Sequence, residues 1–151
     1  ALPIFYDIKA IRKILLEYQK YAKSLRFKPL SYERCIQWVK NKEKNEKLVN
    51  LRIYEAFGIN NPEEIFGHIG VLCFKDKALY LYGFTNERGK KIQANSSLLW
   101  NAIIDIKKYG YKEFDLGGFN ENVSRGIKKF KEGLNGSQRE TLGEYIFLVI
   151  L

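Results

Sequence analysis

This chain of 151 residues contains no methionine, a single histidine, two cysteines and three prolines. Two cysteines cannot make a disulfide framework, so we expect Cys35 and Cys73 to be buried free thiols. A lone imidazole, His68, without a CxxC pair argues against a metal site. His68 and Cys73 lie an odd number of residues apart in a predicted strand. Their side chains therefore point to opposite faces, which excludes a local Cys–His dyad.

Long apolar runs are also missing. The longest, YIFLVIL at residues 145–151, is far shorter than the roughly 20 residues that a membrane-spanning helix needs. We therefore predict a terminal buried strand there and no transmembrane segment. The N-terminal stretch ALPIFYDIK has no basic region followed by an apolar core, so no secretory signal is predicted and we expect a cytoplasmic protein.

Basic charge and aromatic residues are abundant instead. Lysine and arginine number 26 against 17 acidic residues, a formal charge of +9 that favours a polyanionic partner. The 46% hydrophobic content excludes a disordered chain. At this length we expect one domain over residues 1–151, either excised from a longer protein or lacking a second domain.

The hydrophobic periodicity predicts an ordered series of elements. We predict helices at 7–26 and 31–41, strands at 51–59, 63–75 and 78–84, a polar loop at 85–93, a helix capped by Asn95 or Ser96, a strand at 111–116, a helix starting near 122–124, and closing strands at 137–142 and 144–151. This order fits neither strict β/α alternation nor a meander. It predicts an α+β layered domain, with a mixed central sheet flanked by helices.

The predicted helix after residue 95 is apolar on two flanks. One stripe comprises Leu98, Leu99, Ala102, Ile103 and Ile106. Trp100 and Ile104 fall outside that stripe. Either the helix is sandwiched within one domain, or Trp100 and Ile104 form a docking surface for a second domain or a partner.

Three stretches resemble a known family: ANSSLLWNAI at 94–103, YGYKEFDLGG at 109–118 and GIKKFKEGLNG at 126–136. They are similar to the Fem peptidoglycan-bridge aminoacyltransferases, the lipid II:glycine glycyltransferase-like branch of the GNAT superfamily. In that family a strand ending in Asp-x-Gly-Gly precedes Gly-Ile/Leu-x-x-Phe-Lys-x-x-Phe-Gly-Gly. Phe130 and Lys131 match the Phe-Lys pair, whereas Leu134 and Asn135 replace the second Phe and the Gly after it.

The resemblance implies a GNAT-like acyl-CoA N-acyltransferase fold and a bacterial enzyme of cell-wall biogenesis. Such an enzyme moves an aminoacyl group from aminoacyl-tRNA to an amine acceptor, for instance a peptidoglycan precursor, without a further cofactor. One alternative is a CoA-dependent N-acetyltransferase, for which acetyl-CoA would be the donor. Another is a non-catalytic domain that binds tRNA, glycan or protein.

The segment RGKKIQANSS at 88–97 bears on that choice, because CoA-dependent members hold pyrophosphate there on glycine amides. Lys91 and Gln93 replace two of those glycines, which weakens the CoA alternative. Arg88, Lys90 and Lys91 remain as cations that can bind a phosphate.

The lysine-rich stretch after the glycine pair gives the candidate catalytic residues. In a helical projection Lys131 lies beside Ile127 on the apolar flank, whereas Lys128 and Lys129 lie on the solvated side. Lys131 is either a snorkelling lysine or the charge that acts on the acyl group or a phosphate. With the resemblance, we assign Lys131 and Phe130 as catalytic.

Gly117 and Gly118 allow a sharp turn and a close approach of the backbone to a ligand at the start of the next helix. The predicted donor-binding set is Arg88, Lys90, Lys91, Gly117, Gly118, Arg125 and Gly136. GNAT folds place oxyanion-stabilising amides near the positions of Tyr82 and Gly83. The general base is left open among Glu55, Glu63 and water, and Asp115 is interpreted as structural.

Overall fold

The computed structural model describes residues 8–24, 26, 28–44, 49–117, 129, 131–134 and 137. The chain divides into two compact units, residues 1–118 and 119–151, and each is described by itself. In the second unit Lys129, Lys131 and Glu132 are helical. The two predicted closing strands lie outside the described residues, apart from Ser137, and the single domain over residues 1–151 stays a prediction.

The first unit contains four helices and four strands among its described residues. They are α1 (Ile8–Ser24), α2 (Tyr32–Lys44), β1 (Asn50–Phe57), β2 (Ile65–Phe74), β3 (Lys77–Thr85), α3 (Glu87–Lys91), α4 (Ala94–Lys108) and β4 (Glu113–Asp115). The sheet order is β1-β2-β3-β4. The first three strands are antiparallel, and β4 is parallel to β3 because α3 and α4 form the crossover between them. The α+β class and the mixed sheet flanked by helices are thereby confirmed.

Helices α1 and α2 cover one face of the sheet. The buried stripe of α1, including Ile11, Ile14 and Leu15, packs with Cys35 of α2 and with Leu51 and Ile53 of β1. The Ser31 hydroxyl accepts a hydrogen bond from the backbone N–H of Arg34 at 3.3 Å, as expected of the residue before the first turn of α2.

Helix α4 packs on the opposite face and is attached to β1 by polar contacts. Its buried residues are Ala94, Leu98, Leu99, Ala102 and Ile106. The Tyr54 hydroxyl donates to Asp105 Oδ2 at 2.8 Å, and the guanidinium of Arg52 lies 3.6 Å from the same oxygen. Arg52 also stacks on the ring of Tyr109, 3.8 Å from its centroid. A buried charge is tolerable in such a setting because it is paired on several sides.

The segment between β3 and α4 corrects the predicted polar loop at 85–93, because it contains α3. The Asn86 side chain accepts the Gly89 N–H at 2.7 Å and donates to the Ile65 carbonyl at 2.7 Å. This bidentate contact caps α3 and anchors it to β2. Helix α4 then begins at Ala94, and the residue before it is Gln93 with a positive φ of 53°, so neither Asn95 nor Ser96 is its cap.

Within the described ranges, no helix is both long and apolar enough to cross a membrane. In the same residues no three His, Cys, Asp or Glu side chains are grouped so as to hold a metal ion. Cys35 and Cys73 are both buried, as predicted, and neither takes part in a disulfide.

Candidate functional site

Strand β3 has an edge that is only partly paired. Strand β4 pairs with Lys77–Leu79 alone, through Glu113–Asp115. Residues 80–85 continue beyond that pairing, and no described strand lies next to them on the β4 side. Backbone N–H and C=O groups on such an edge are available to an extended ligand. We call residues 80–85 the open edge of β3.

A β-bulge distorts the same end of β3. Gly70 pairs with Tyr82 and Val71 pairs with Tyr80, which leaves Leu81 without a partner on β2. Leu81 and Tyr82 both pack towards α1. Bulges change the direction in which backbone groups point, and they are frequent beside active sites. The amides of Tyr82 and Gly83, predicted to stabilise an oxyanion, belong to this irregular end of the strand.

The ring of Tyr82 lies beside the bulge, on the α1 face of the sheet. It stacks on Tyr18 with centroids 4.2 Å apart. It also lies over Gly70, where an added Cβ would be 2.2 Å from the ring. The absence of a side chain at Gly70 therefore leaves the space that the Tyr82 ring fills.

On the other face, the start of α4 comes close to the open edge. The Tyr80 hydroxyl lies 3.4 Å from Asn95 Oδ1, in the first turn of α4. A Cβ on Gly83 would lie 2.0 Å from that hydroxyl and 2.8 Å from the Asn95 oxygen. The Tyr80 hydroxyl and the start of α4 therefore leave no room for a side chain at Gly83.

The structure brings Arg88, Lys90 and Lys91 together on α3. The Arg88 guanidinium pairs with Glu64 and lies over the Phe66 ring, 5.5 Å from its centroid. Lys90 pairs with Glu87 at 2.6 Å, and that hydrogen bond raises the pKa of Lys90. Lys91 is exposed.

The glycine of this segment is not open to a ligand. Gly89 is buried, and a Cβ there would lie 2.1 Å from the Phe66 carbonyl oxygen. Its N–H already donates to Asn86. The backbone of α3 is therefore packed on β2 rather than exposed as a phosphate-binding loop.

The turn after β4 has a left-handed backbone conformation at its first glycine, Gly117. Gly117 has a φ of 73°, a left-handed conformation that favours glycine. Its N–H donates to Asp115 Oδ1 at 2.8 Å, in agreement with a structural role for Asp115. The other predicted donor-binding residues Gly118, Arg125 and Gly136, and the predicted catalytic Phe130, lie outside the described residues.

In the second unit, Lys131 and Lys129 differ in exposure. Lys131 is half-buried and Lys129 is exposed. This difference agrees with the helical projection, which put Lys131 on the apolar flank. The catalytic role of Lys131 stays a prediction.

The two carboxylates considered as general base occupy different environments. Glu63 lies in an exposed turn before β2, whereas Glu55 on β1 is buried. Glu55 is the register partner of His68 on β2. Only the pairing of the two strands reveals that Glu55 and His68 are neighbours, because no local spacing in the sequence relates them.

His68 is enclosed by aromatic rings. Its ring centroid is 5.7 Å from that of Tyr82 and 5.0 Å from that of Phe84. Within the described part of the chain, neither ring nitrogen has a hydrogen-bond partner. Burial lowers the pKa of His68 to about 4, so its imidazole is neutral at pH 7.

The sequence of residues 39–150 matches the FemAB family. The chain belongs to the FemAB family. No curated protein sequence matches this FemAB chain.

Solved structures of acetyltransferases share the fold. A probable acetyltransferase matches with a TM-score of 0.64 and 12% identity, over 95% of this chain and 92% of its own. A possible acetyltransferase from Clostridium difficile 630 matches with a TM-score of 0.58 and 19% identity, over 95% and 92%. An aminoglycoside acetyltransferase from an uncultured soil metagenomic sample, in complex with sisomicin, matches with 0.62 and 10%, over 95% and 91%.

The predicted Fem resemblance and the GNAT-like fold are therefore confirmed. The family and the fold together support a transferase that acts on acyl groups. This FemAB chain presents its open edge of β3, the bulge and the start of α4 at one end of the sheet.

Proposed function

We propose that this FemAB chain transfers an aminoacyl group from a charged tRNA to an amine acceptor, in the synthesis of peptidoglycan precursors. The acyl group lies along the open edge of β3, near the amides of Tyr82 and Gly83. Lys131 and Phe130 of the matching motif are the proposed catalytic residues. The formal charge of +9 favours a long polyanionic donor over a small one.

One observation carries the choice of donor. Residues 88–91, the first part of the segment that would hold a CoA pyrophosphate, fold into α3, with Gly89 buried against Phe66. Arg88 and Lys90 are paired with carboxylates of their own surroundings. Residues 88–91 therefore offer no amide cradle for a pyrophosphate, and a compact CoA site is less well supported than binding of a tRNA backbone.

A CoA-dependent N-acetyltransferase is the second candidate. It is favoured by the acetyltransferases that share the fold. The start of α4 adds support, because a helix N-terminus attracts an anion and the side chain of Gln93 makes no capping hydrogen bond there.

Thermal unfolding in the presence of ligands tests the donor. Melting temperatures are measured with aminoacyl-tRNA, deacylated tRNA, CoA and acetyl-CoA, each at about 50 and 200 mM salt, since binding to the folded state alone raises the melting temperature. We expect stabilisation by aminoacyl-tRNA that weakens at the higher salt. Stabilisation by acetyl-CoA alone would overturn the tRNA proposal in favour of the acetyltransferase.

A matched pair of variants sharpens this experiment. Lys91→Ala removes an exposed charge next to α4, and Lys13→Ala removes an exposed charge from α1. We expect the first to weaken tRNA binding and its salt dependence, and the second to change neither. Equal effects would indicate non-specific attraction by the net charge.

A further inference from the structure

Three adjacent strands place titratable side chains on the α1 face of the sheet, at the end where β3 bulges. Glu55 on β1 pairs in register with His68 on β2, and Gly70, two residues on from His68, pairs with Tyr82 on β3. The side chains of register partners share a face. We call Glu55, His68 and Tyr82 the polar cluster.

The polar cluster is almost fully buried, and two of its members carry unpaired polar atoms. His68 is 0% exposed and Tyr82 is 5% exposed. Across the described residues, the ring nitrogens of His68 and the hydroxyl of Tyr82 have no hydrogen-bond partner. Each such group costs about 1–3 kcal/mol of stability. Native proteins usually retain buried groups of this kind where the groups have a role.

The chemistry of the polar cluster fits an amine. Glu55 is 6% exposed. Burial is the main cause of the raised pKa of Tyr82, and the charge of Glu55 contributes to it. A carboxylate attracts an ammonium group, a neutral imidazole accepts its proton, and a phenol stays protonated as a donor.

Aromatic rings complete the surroundings. Tyr18 stacks on Tyr82, and Tyr21 contacts Phe84 at 5.1 Å between centroids. Ring faces add attraction for a cation. Tyr18 and Tyr21 both belong to α1, which packs on this face of the sheet.

We propose that the polar cluster receives the acceptor amine, with His68 as the proton acceptor. This inference rests on the proposed acyl transfer. It is supported by position, because the polar cluster adjoins the bulge at Leu81 and Tyr82, and the bulge lies on the open edge assigned to the acyl group.

The transfer step balances as follows. The ammonium form of the acceptor first loses one proton to solvent, which leaves a neutral amine. The nitrogen of that amine then attacks the carbonyl carbon of the acyl donor, and its lone pair forms the new C–N bond. The bond from that carbon to the leaving oxygen or sulfur breaks, and the electron pair goes to the leaving atom. The proton lost by nitrogen passes to a ring nitrogen of His68 and then to solvent, and the leaving atom takes a proton from solvent.

The single histidine allows a direct test without any acyl donor. In the full chain labelled with 15N-histidine, the ring resonances of His68 are followed by NMR during titration with n-butylamine hydrochloride or with n-butanol. We expect a saturable shift with the amine and none with the alcohol. Absence of a shift, or equal shifts with both compounds, overturns the proposal.

A matched pair of variants tests whether the polar cluster is the site at which the amine binds. Glu55→Gln should weaken amine binding about tenfold, because it removes a charge-assisted contact. Glu33→Gln, at an exposed position of α2, should leave binding unchanged. Unchanged amine binding in Glu55→Gln would show that the polar cluster is not the amine site. If that variant does not fold, the comparison of amine with alcohol on the unsubstituted chain tests the proposal. Amine binding without stabilisation by tRNA or CoA would retain the site and reject the proposed donor.

Discussion

At the scale of single residues, the buried imidazole of His68 links the polar cluster to stability. Burial lowers its pKa from the usual 6.5 to about 4. A group with a lowered basic pKa binds its proton in the unfolded state first. The stability it contributes is therefore complete above pH 6.5 and is lost as the pH falls towards 4.

We predict from this shift that the free energy of unfolding falls between pH 6.5 and pH 4, with roughly 3 kcal/mol of the loss due to His68. Urea denaturation at a series of pH values measures it. Ionisable groups other than His68 can also contribute to the pH dependence, so His68→Phe is the control. That variant keeps a ring beside Tyr82 and Phe84 but removes the titration. An identical pH profile for both proteins would contradict the lowered pKa.

A second prediction at this scale concerns Lys131, which is half-buried where Lys129 is exposed. Lys131→Ala should preserve the fold and reduce the rate of transfer by about 100-fold or more, because it removes a charge aimed at the developing oxyanion or leaving group. The measurement is kcat with a saturating donor. Lys129→Ala removes the same charge from a solvated position and should change kcat little. Similar effects of the two would make Lys131 one member of a basic patch.

At the scale of elements, the bulge of β3 depends on a fit between a glycine and a ring. A Cβ on Gly70 would lie 2.2 Å from the Tyr82 ring, which cannot swing away freely because it is stacked on Tyr18. Overpacking of this kind typically costs about 1–3 kcal/mol.

Gly70→Ala should therefore destabilise the first unit by about that amount, and less in a Tyr82→Leu background, where the ring is absent. Denaturant unfolding of the four proteins in this double-mutant cycle gives the coupling between the two positions. A cost of Gly70→Ala that is the same in both backgrounds would show that the ring does not occupy the space above Gly70.

At the scale of the whole molecule, helix α4 exposes two large apolar side chains. Trp100 is 56% exposed and Ile104 is 39% exposed, whereas the stripe with Leu98 and Leu99 is buried. Neither residue is part of the core of the first unit, which favours the docking interpretation over the sandwiched helix. The docking surface itself, and the domain or partner that would cover it, stay predictions.

Ile104→Asp should leave the far-UV circular dichroism and melting temperature nearly unchanged, since surface substitutions usually alter stability by about 0.5 kcal/mol or less. Leu99→Asp is the control on the same helix, and it should unfold the first unit because it buries an unpaired charge. Global unfolding of Ile104→Asp would show that Ile104 is part of a core and would exclude a docking surface.

Local and periodic features of this FemAB chain follow from the sequence alone. Runs of apolar residues predict β1–β3, and the stripe at Leu98 and Leu99 predicts the buried face of α4. The glycine pair that begins at Gly117 predicts a sharp turn, and Gly117 has a positive φ. These features depend on residues a few positions apart. The different exposure of Lys131 and Lys129 is also a local feature, because helical geometry alone predicts it.

Only the tertiary structure decided the features that depend on distant residues. Helix α3 forms because Asn86 finds the Ile65 carbonyl on another strand, 21 positions away. The register of β1 against β2 makes Glu55 and His68 neighbours. The extra residue Leu81 shifts the register of β2 against β3. Register and bulges are set by packing across the whole sheet, to which no short window of sequence is sensitive. Burial then lowers the pKa of His68, a property that the isolated residue does not have.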